Sequence, residues 1–186
     1  MFLVLDVGCG ERPRGDVNCD IMVQKAPNFV LCDAHHLPFR DNAFEKVVSY
    51  YVIEHCIDII RYLNEVYRVA KKYVVIMTDN SLWYVDLINL FLGRGARFNY
   101  EGHYCIFFPD VLERLLRKLN YNVTVKAGNF GMEAEHMKKR EKLIKGIFGW
   151  LVFATIKIVS FLNRKASHTL YSPLYRDILV IIRKKV

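Results

Sequence analysis

Four short apolar runs in the first fifty or so residues each stop at a glycine or an acid, and this spacing constrains the fold more than any other feature. Residues 2–7 end at Gly8-Cys9-Gly10, residues 17–21 carry Asp20 near their end, residues 29–32 run into Asp33, and residues 46–51 (KVVSYY) lead to Glu54-His55. Runs this short, rich in β-branched and aromatic residues and closed by turn formers, are strands. Residues 57–72 follow with apolar side chains at 59, 60, 63, 66, 67 and 70, the period of an amphipathic helix. Lys71 and Lys72 then fall in its last turn, where a cation meets the negative end of the helix dipole. Residues 73–77 (YVVIM) give a fifth strand. Further on, 81–92 and 109–119 read as helices, the second with Pro109 in its first turn, where the missing N–H costs nothing. Residues 121–126 and 177–183 read as two more strands. Strands alternating with helices or loops make an α/β chain with a doubly wound, mostly parallel sheet.

The chain has 186 residues, 53% of them hydrophobic and 25% charged, which suits one core and a single domain over 1–186 and excludes disordered, collagen-like and coiled-coil classes. It contains no run of eighteen uncharged apolar residues, and Met1-Phe2-Leu3-Val4-Leu5-Asp6 has neither a basic stretch nor a small-residue cleavage site, so the expected setting is the cytoplasm. Five cysteines, Cys9, Cys19, Cys32, Cys56 and Cys105, include no CxxC pair, which argues against structural zinc and for reduced, buried thiols. His35-His36 invites a metal reading, but adjacent histidines diverge in a loop and no third ligand has helpful spacing, so no metal is expected.

Glycines at the end of a first strand let the backbone turn sharply and come close to a ligand, with N–H groups facing the crevice at the carboxyl ends of the strands. A diphosphate dinucleotide wants GxGxxG running into a helix. Here the third glycine position holds Pro13, and nine residues separate Gly10 from Asp20, too few for a comfortable crossover helix. A nucleoside with a small charged tail fits such a loop better, and a nicotinamide cofactor is disfavoured. Asp20 ends the second strand, where a bidentate acceptor receives two ribose hydroxyls. Asp33 ends the third, where it can meet the exocyclic amine of an adenine. Either aspartate alone is compatible with an ordinary turn.

The strings LDVGCG, VNCDI, LCDAHHLPFRDNAFEKVVSYYVIEHC and LNEVYRVAKKYVVIMT together resemble the class I S-adenosylmethionine-dependent methyltransferases, of the type 11 small-molecule kind. The likeness is close over residues 2–79 and continues more weakly through Gly102-His103-Tyr104 to Leu112. It implies a Rossmann-like sheet of seven strands and S-adenosyl-L-methionine as cofactor. It assigns Asp6, Gly8, Cys9 and Gly10 to the methionine and ribose end, Asp20 and Ile21 to ribose and adenine, Asp33 and Ala34 to adenine, and Tyr50 to the neighbourhood of the methyl group. His103 is the first candidate for a base and His55 the second, with His55 also readable as a residue that fixes the turn beside Glu54. The chain departs from the family at Arg12, where a third glycine is common, and in the 50 residues that separate its last two strands, where the family has a hairpin.

That insertion, 128–176, is read as helical. It contains the basic run at 138–142 and the apolar run at 146–162, and it dominates the charge balance: residues 1–135 hold 15 Lys and Arg against 17 Asp and Glu, whereas 136–186 hold 12 against 2. One reading of 138–165 is a helix lying in the surface of an anionic membrane; others are a cap over the active site or a homodimer interface. The expected acceptor is a small or lipid-like molecule. Nucleic acid is disfavoured because no RNA-binding module accompanies the basic residues. A methyltransferase-like binding or scaffold protein without turnover stands as the alternative, as does an RNA methyltransferase.

Overall fold

The computed structural model describes residues 2–91, 93, 102–128, 130, 151, 154, 158 and 175–184. Seven strands form one sheet: β1 (Val4–Val7), β2 (Val17–Asp20), β3 (Phe29–Leu31), β4 (Phe44–Tyr50), β5 (Ala70–Asp79), β6 (Asn122–Gly128) and β7 (Asp177–Arg183). Their order is β3-β2-β1-β4-β5-β7-β6, with β1 to β5 parallel and β7 antiparallel to both neighbours. Among the described residues the helices of defined extent are α1 (Ile59–Val69), α2 (Tyr84–Phe91) and α3 (Pro109–Lys118), with a 3₁₀ turn at Ile53–His55; Leu151, Ala154 and Ile158 are helical as well. The mostly parallel, seven-stranded sheet expected from the sequence is therefore present.

The period-2 pattern explains the register. Val17, Leu5, Val47, Val74, Ile182 and Val123 are successive Cα partners across six strands, so one apolar row runs across the sheet. Onto this face pack the buried stripe of α1, Tyr62, Leu63, Val66 and Val69, and Leu112 and Leu116 of α3. Fully burying side chains of this size stabilises by roughly 1.5–3 kcal/mol each. Tyr121, just before β6, ties the two helices together: its amide donates to the Leu116 carbonyl of α3 (3.1 Å), while its hydroxyl lies 2.9 Å from Asn64 Oδ1 and its ring 4.9 Å from that of Tyr67, both on α1.

The end of α1 corrects one expectation. The helix stops at Val69, and β5 begins at Ala70, which is fully buried and in register with Phe44. Lys71 and Lys72 therefore lie on a strand, where both ammonium groups pair with Glu45 of β4 at 3.0 and 2.9 Å. The cation at the carboxyl end of α1 is Lys184 instead. Its Nζ donates to the carbonyls of Tyr67 (3.0 Å) and Ala70 (2.9 Å) and to Asn42 Oδ1 (2.8 Å). Strand pairing with β4 outweighs the local helical pattern, and a residue from the far end of the chain satisfies the helix carbonyls that were left over.

The connections from β1 to β2, β2 to β3 and β3 to β4 are fully described and contain no helix. Side chains fix them. Asn18, fully buried on β2, accepts from Gly15 N (3.0 Å) and donates to the carbonyls of Gly15 (3.0 Å) and Pro27 (2.7 Å). Arg68 of α1 reaches across the LPFRD segment, donating to the carbonyls of Phe39 (2.7 Å) and Leu37 (3.0 Å) and to Asp41 and Glu65. Glu65 in turn accepts from Leu37 N at 2.8 Å.

Candidate functional site

All five parallel strands end at the same edge of the sheet, and a cleft of about 650 Å³ opens there, within the range of small-molecule sites. Of the sequence-assigned residues, Gly8, Cys9, Gly10, Asp20, Ile21, Asp33, Ala34, Tyr50 and His55 line it. Asp6 and His103 do not. Asp6 is fully buried on β1, where its Oδ2 accepts from Arg14 N at 2.8 Å. Burial pushes its carboxyl above the ordinary carboxylate value, against the pull of the Arg14 bond and charge.

Gly8 sits at φ +71°, and a β-carbon there would overlap the Val52 side chain. Only glycine meets both demands. The loop's amides, however, do not face the crevice as the sequence suggested. Gly8 N and Cys9 N donate to the Cys19 carbonyl (2.8 and 3.1 Å), and Gly10 N to Asp20 Oδ2 (2.9 Å). With no helix after the loop to hold them toward the cleft, these donors turn inward to β2. The close backbone approach survives, and the loop offers no strong anion cradle, in keeping with a nucleoside ligand rather than a diphosphate.

Asp20 is thereby held by two backbone bonds, the second from Met22 N to Oδ1 at 2.9 Å. Each of its oxygens keeps a second lone pair for a ligand. Beside it, Ile21 and Met22 line the cleft while 71% and 68% exposed, an apolar wall without a cover among the described residues. Asp33 accepts from His35 N (2.8 Å), lies 2.7 Å from His35 Nδ1, and has His36 at 3.9 Å. Partial burial works to raise its carboxyl, but the His35 bonds and the two imidazoles outweigh it and hold the group below the ordinary value. Two of the cleft thiols are pushed up by burial, Cys9 to about 11 and Cys56 to about 12, which keeps them protonated and inert near neutrality, whereas the bond from Cys19 lowers Cys32.

At the other end of the cleft, His55 Nδ1 lies 2.8 Å from the Gly102 carbonyl. A carbonyl only accepts, so the ring donates from Nδ1. The His103 ring stands edge-on, 4.7 Å from that of His55, and behind it Glu54, Asp79 and His103 each bring one donor atom to within 4.8 Å of the others. Such a trio can orient an imidazole and stabilise the imidazolium formed when it takes a proton, and it also has the spacing of a cation site. The sequence reading, which weighed metal at the cysteines and at His35-His36, missed it, because its members come from three separate segments with no common motif. Two further cleft residues were missed. Arg14 lies with its guanidinium 4.8 Å over the Tyr50 ring. Tyr51, at φ +58°, sends its hydroxyl to Asp177 Oδ1 at 3.0 Å. A bulky residue in the left-handed region is strained and recurs at functional sites, and no local sequence signal announces it.

The insertion 128–176 is described only at Gly128, Phe130, Leu151, Ala154, Ile158, Tyr175 and Arg176; apart from Leu151, Ala154 and Ile158, the segment 138–165 read as membrane contact, cap or dimer interface lies outside the described residues. Among those that are described, no helix is long and apolar enough to cross a membrane.

Residues 16–77 match the sequence model of a methyltransferase domain family. An uncharacterized protein of Methanocaldococcus jannaschii is 32% identical over a match covering 48% of this chain and 47% of that protein; the chain thus spans about half the length of that curated relative. Among solved structures, a SAM-dependent methyltransferase from Archaeoglobus fulgidus superposes with a TM-score of 0.59 at 19% identity, over 97% of this chain and 85% of the other. The [4+2]-cyclase SpnF gives 0.56 at 18% identity, over 98% and 74%. Phosphoethanolamine N-methyltransferase 2 of Haemonchus contortus, solved with S-adenosyl-L-methionine, gives 0.54 at 15% identity, over 98% and 48%. At such identities the structural likenesses establish the fold alone. The chain shares its fold with solved SAM-dependent methyltransferases and matches a methyltransferase-domain model over residues 16–77, in line with the resemblance read from its sequence.

Proposed function

We propose that this chain is an S-adenosyl-L-methionine-dependent methyltransferase acting on a small or lipid-like acceptor. The observation that carries the reading is the cleft at the strand ends, where Asp20 and Asp33 flank an exposed apolar wall beside a glycine loop. These residues fit an adenosyl group: Asp20 accepts from both ribose hydroxyls, Ile21 and Met22 cover a face of the base, and Asp33 accepts from its amine. Gly8 and Gly10 leave room for the sulfur-bearing chain, and Tyr50 presents an aromatic face near a cationic sulfur. When bound, the cofactor supplies an electrophilic methyl on a sulfonium.

The chain's own contribution is mainly positional. Holding an acceptor atom aligned near 3 Å from the reacting carbon is worth up to roughly 7–11 kcal/mol. For a hydroxyl or phenol acceptor, removal of the proton adds about 10²–10⁴ in rate. His55 faces the cleft, and His103 stands against its ring with Glu54 and Asp79 behind, so the pair is suited to take that proton and pass it away from the reacting centre. A fold shared with a [4+2]-cyclase supports a second reading, in which the cleft binds the cofactor and the reaction is of another class. Calorimetry with S-adenosylmethionine and S-adenosylhomocysteine tests the pocket, with micromolar binding expected for both. Transfer of a labelled methyl group into extract fractions then separates a methyltransferase from a binding protein: label transfer is expected, and binding without transfer would overturn the enzymatic reading.

A further inference from the structure

We propose that Arg14 receives the carboxylate of the cofactor's amino-acid tail and so replaces the helix N-terminus that the glycine loop lacks. The inference rests on the adenosyl reading of the cleft and assigns its anionic subsite.

A nucleoside cofactor with an amino-acid tail brings a carboxylate to the glycine loop, and a loop that runs into a helix would meet it with free amides and the positive end of a dipole. Residues 8–16 contain no helix. The amides of Gly8, Cys9 and Gly10 are taken by Cys19 and Asp20, and those of Arg12, Arg14, Gly15 and Asp16 by Cys9, Asp6, Asn18 and Val4. Pro13 has none, and Glu11 N alone is left without a hydrogen-bond partner among the described residues, a single amide with no helix dipole behind it. Full positive charge at this end of the cleft therefore comes from a side chain.

Arg14 is built for that task. Its guanidinium lies on the Tyr50 ring at 4.8 Å, its Nη1 is 3.7 Å from the buried Asp6 Oδ2, and it lines the cleft. The aromatic face and the buried carboxylate fix the plane of the group. The Asp6 contact is longer than a hydrogen bond, and the side chain makes no hydrogen bond within the described residues, so its planar fork of donors stays available for a carboxylate. This also gives Asp6 a role consistent with its burial: it positions Arg14 from below rather than touching the ligand.

The test compares two ligands on the full chain by calorimetry, S-adenosylhomocysteine and 5′-methylthioadenosine, which share the nucleoside thioether but differ in the amino-acid tail. Arg14→Gln is expected to weaken S-adenosylhomocysteine by roughly ten- to a hundred-fold, the scale of a lost charge-assisted pair, and to leave methylthioadenosine unchanged within about twofold. Arg14→Lys should recover part of the loss. Equal weakening of both ligands, no weakening of either, or a tail-selective loss from Arg12→Gln in place of Arg14→Gln would overturn the assignment while the cleft reading stands. An unaltered chain that binds neither ligand would overturn the cleft reading and this assignment together.

Discussion

The tightest geometric demand in the site is at Gly8, and Gly8→Ala puts a number on it. Two independent costs apply. At φ +71° an alanine occupies the left-handed region, which costs roughly 1–2 kcal/mol. Its β-carbon also overlaps the Val52 Cγ2 methyl, and relieving an overpacked contact of this kind costs about 1–3 kcal/mol. The sum, roughly 2–5 kcal/mol, corresponds at about 2–4 °C per kcal/mol for a chain of this size to a fall in Tm of roughly 4–20 °C. Val52→Ala removes both methyls and leaves the nearest remaining atom, Val52 Cβ, at 3.4 Å, an acceptable contact. A double-mutant cycle measured by thermal unfolding should therefore show a favourable coupling of about 1–3 kcal/mol, with the dihedral cost left over. Strict additivity would mean that Val52 is not what bars a side chain here. A Gly8→Ala chain that melts within about a degree of the unaltered one would refute the loop conformation itself.

Asp20→Ala should weaken S-adenosylhomocysteine by roughly 1–3 kcal/mol through lost buried hydrogen bonds, read by calorimetry; unchanged affinity would remove Asp20 as the ribose acceptor. Asp6→Asn tests burial through pH. The folded carboxyl of Asp6 lies above its unfolded value, so its contribution is most favourable below the unfolded pKa and is lost as pH rises through the raised folded one. The Tm of Asp6→Asn relative to the unaltered chain should therefore climb as pH rises above the ordinary carboxylate range, and a flat or falling difference would contradict the raised value. With a hydroxyl or phenol acceptor, His55→Ala should lower methyl transfer from labelled cofactor by about 10²–10⁴ and His103→Ala by less, with cofactor affinity little changed by His103→Ala, and transfer should persist in EDTA. A chelator-sensitive reaction restored by a divalent cation would reassign Glu54, Asp79 and His103 to metal binding.

What the sequence disclosed and what it hid divide along a physical line. Strand positions were legible because burial imposes a period of two, and the row from Val17 to Val123 is that period seen across the sheet. Gly8, Asp20 and Asp33 were legible because turns and strand ends restrict residue type locally. The boundary at Val69 was not, since Ala70 and Lys71 continue a helical pattern and only pairing with β4 makes them strand. Arg14, Lys184 and the Glu54, Asp79 and His103 trio were also hidden. Each acts on groups far away in the chain, and no spacing rule links Lys184 to Tyr67 or His103 to Asp79.

The same residues explain how a sheet whose first three connections have no helices still presents an ordered cleft. A crossover helix would normally bury one face of these strands, fix the glycine loop and place positive potential at its start. Here the work is divided among side chains: Asn18 ties the connections on either side of β2, Arg68 and Glu65 clamp the segment before β4, and Asp6 with Arg14 closes the loop after β1. Each clamp is a charged or amide group bonded to main-chain atoms, and losing one partner leaves the other buried and unsatisfied. Stability and cleft geometry are therefore coupled more tightly in this chain than they would be on a helix-backed loop. Substitutions at Asn18 or Arg68, which touch no ligand, should move the cleft as well as the melting temperature.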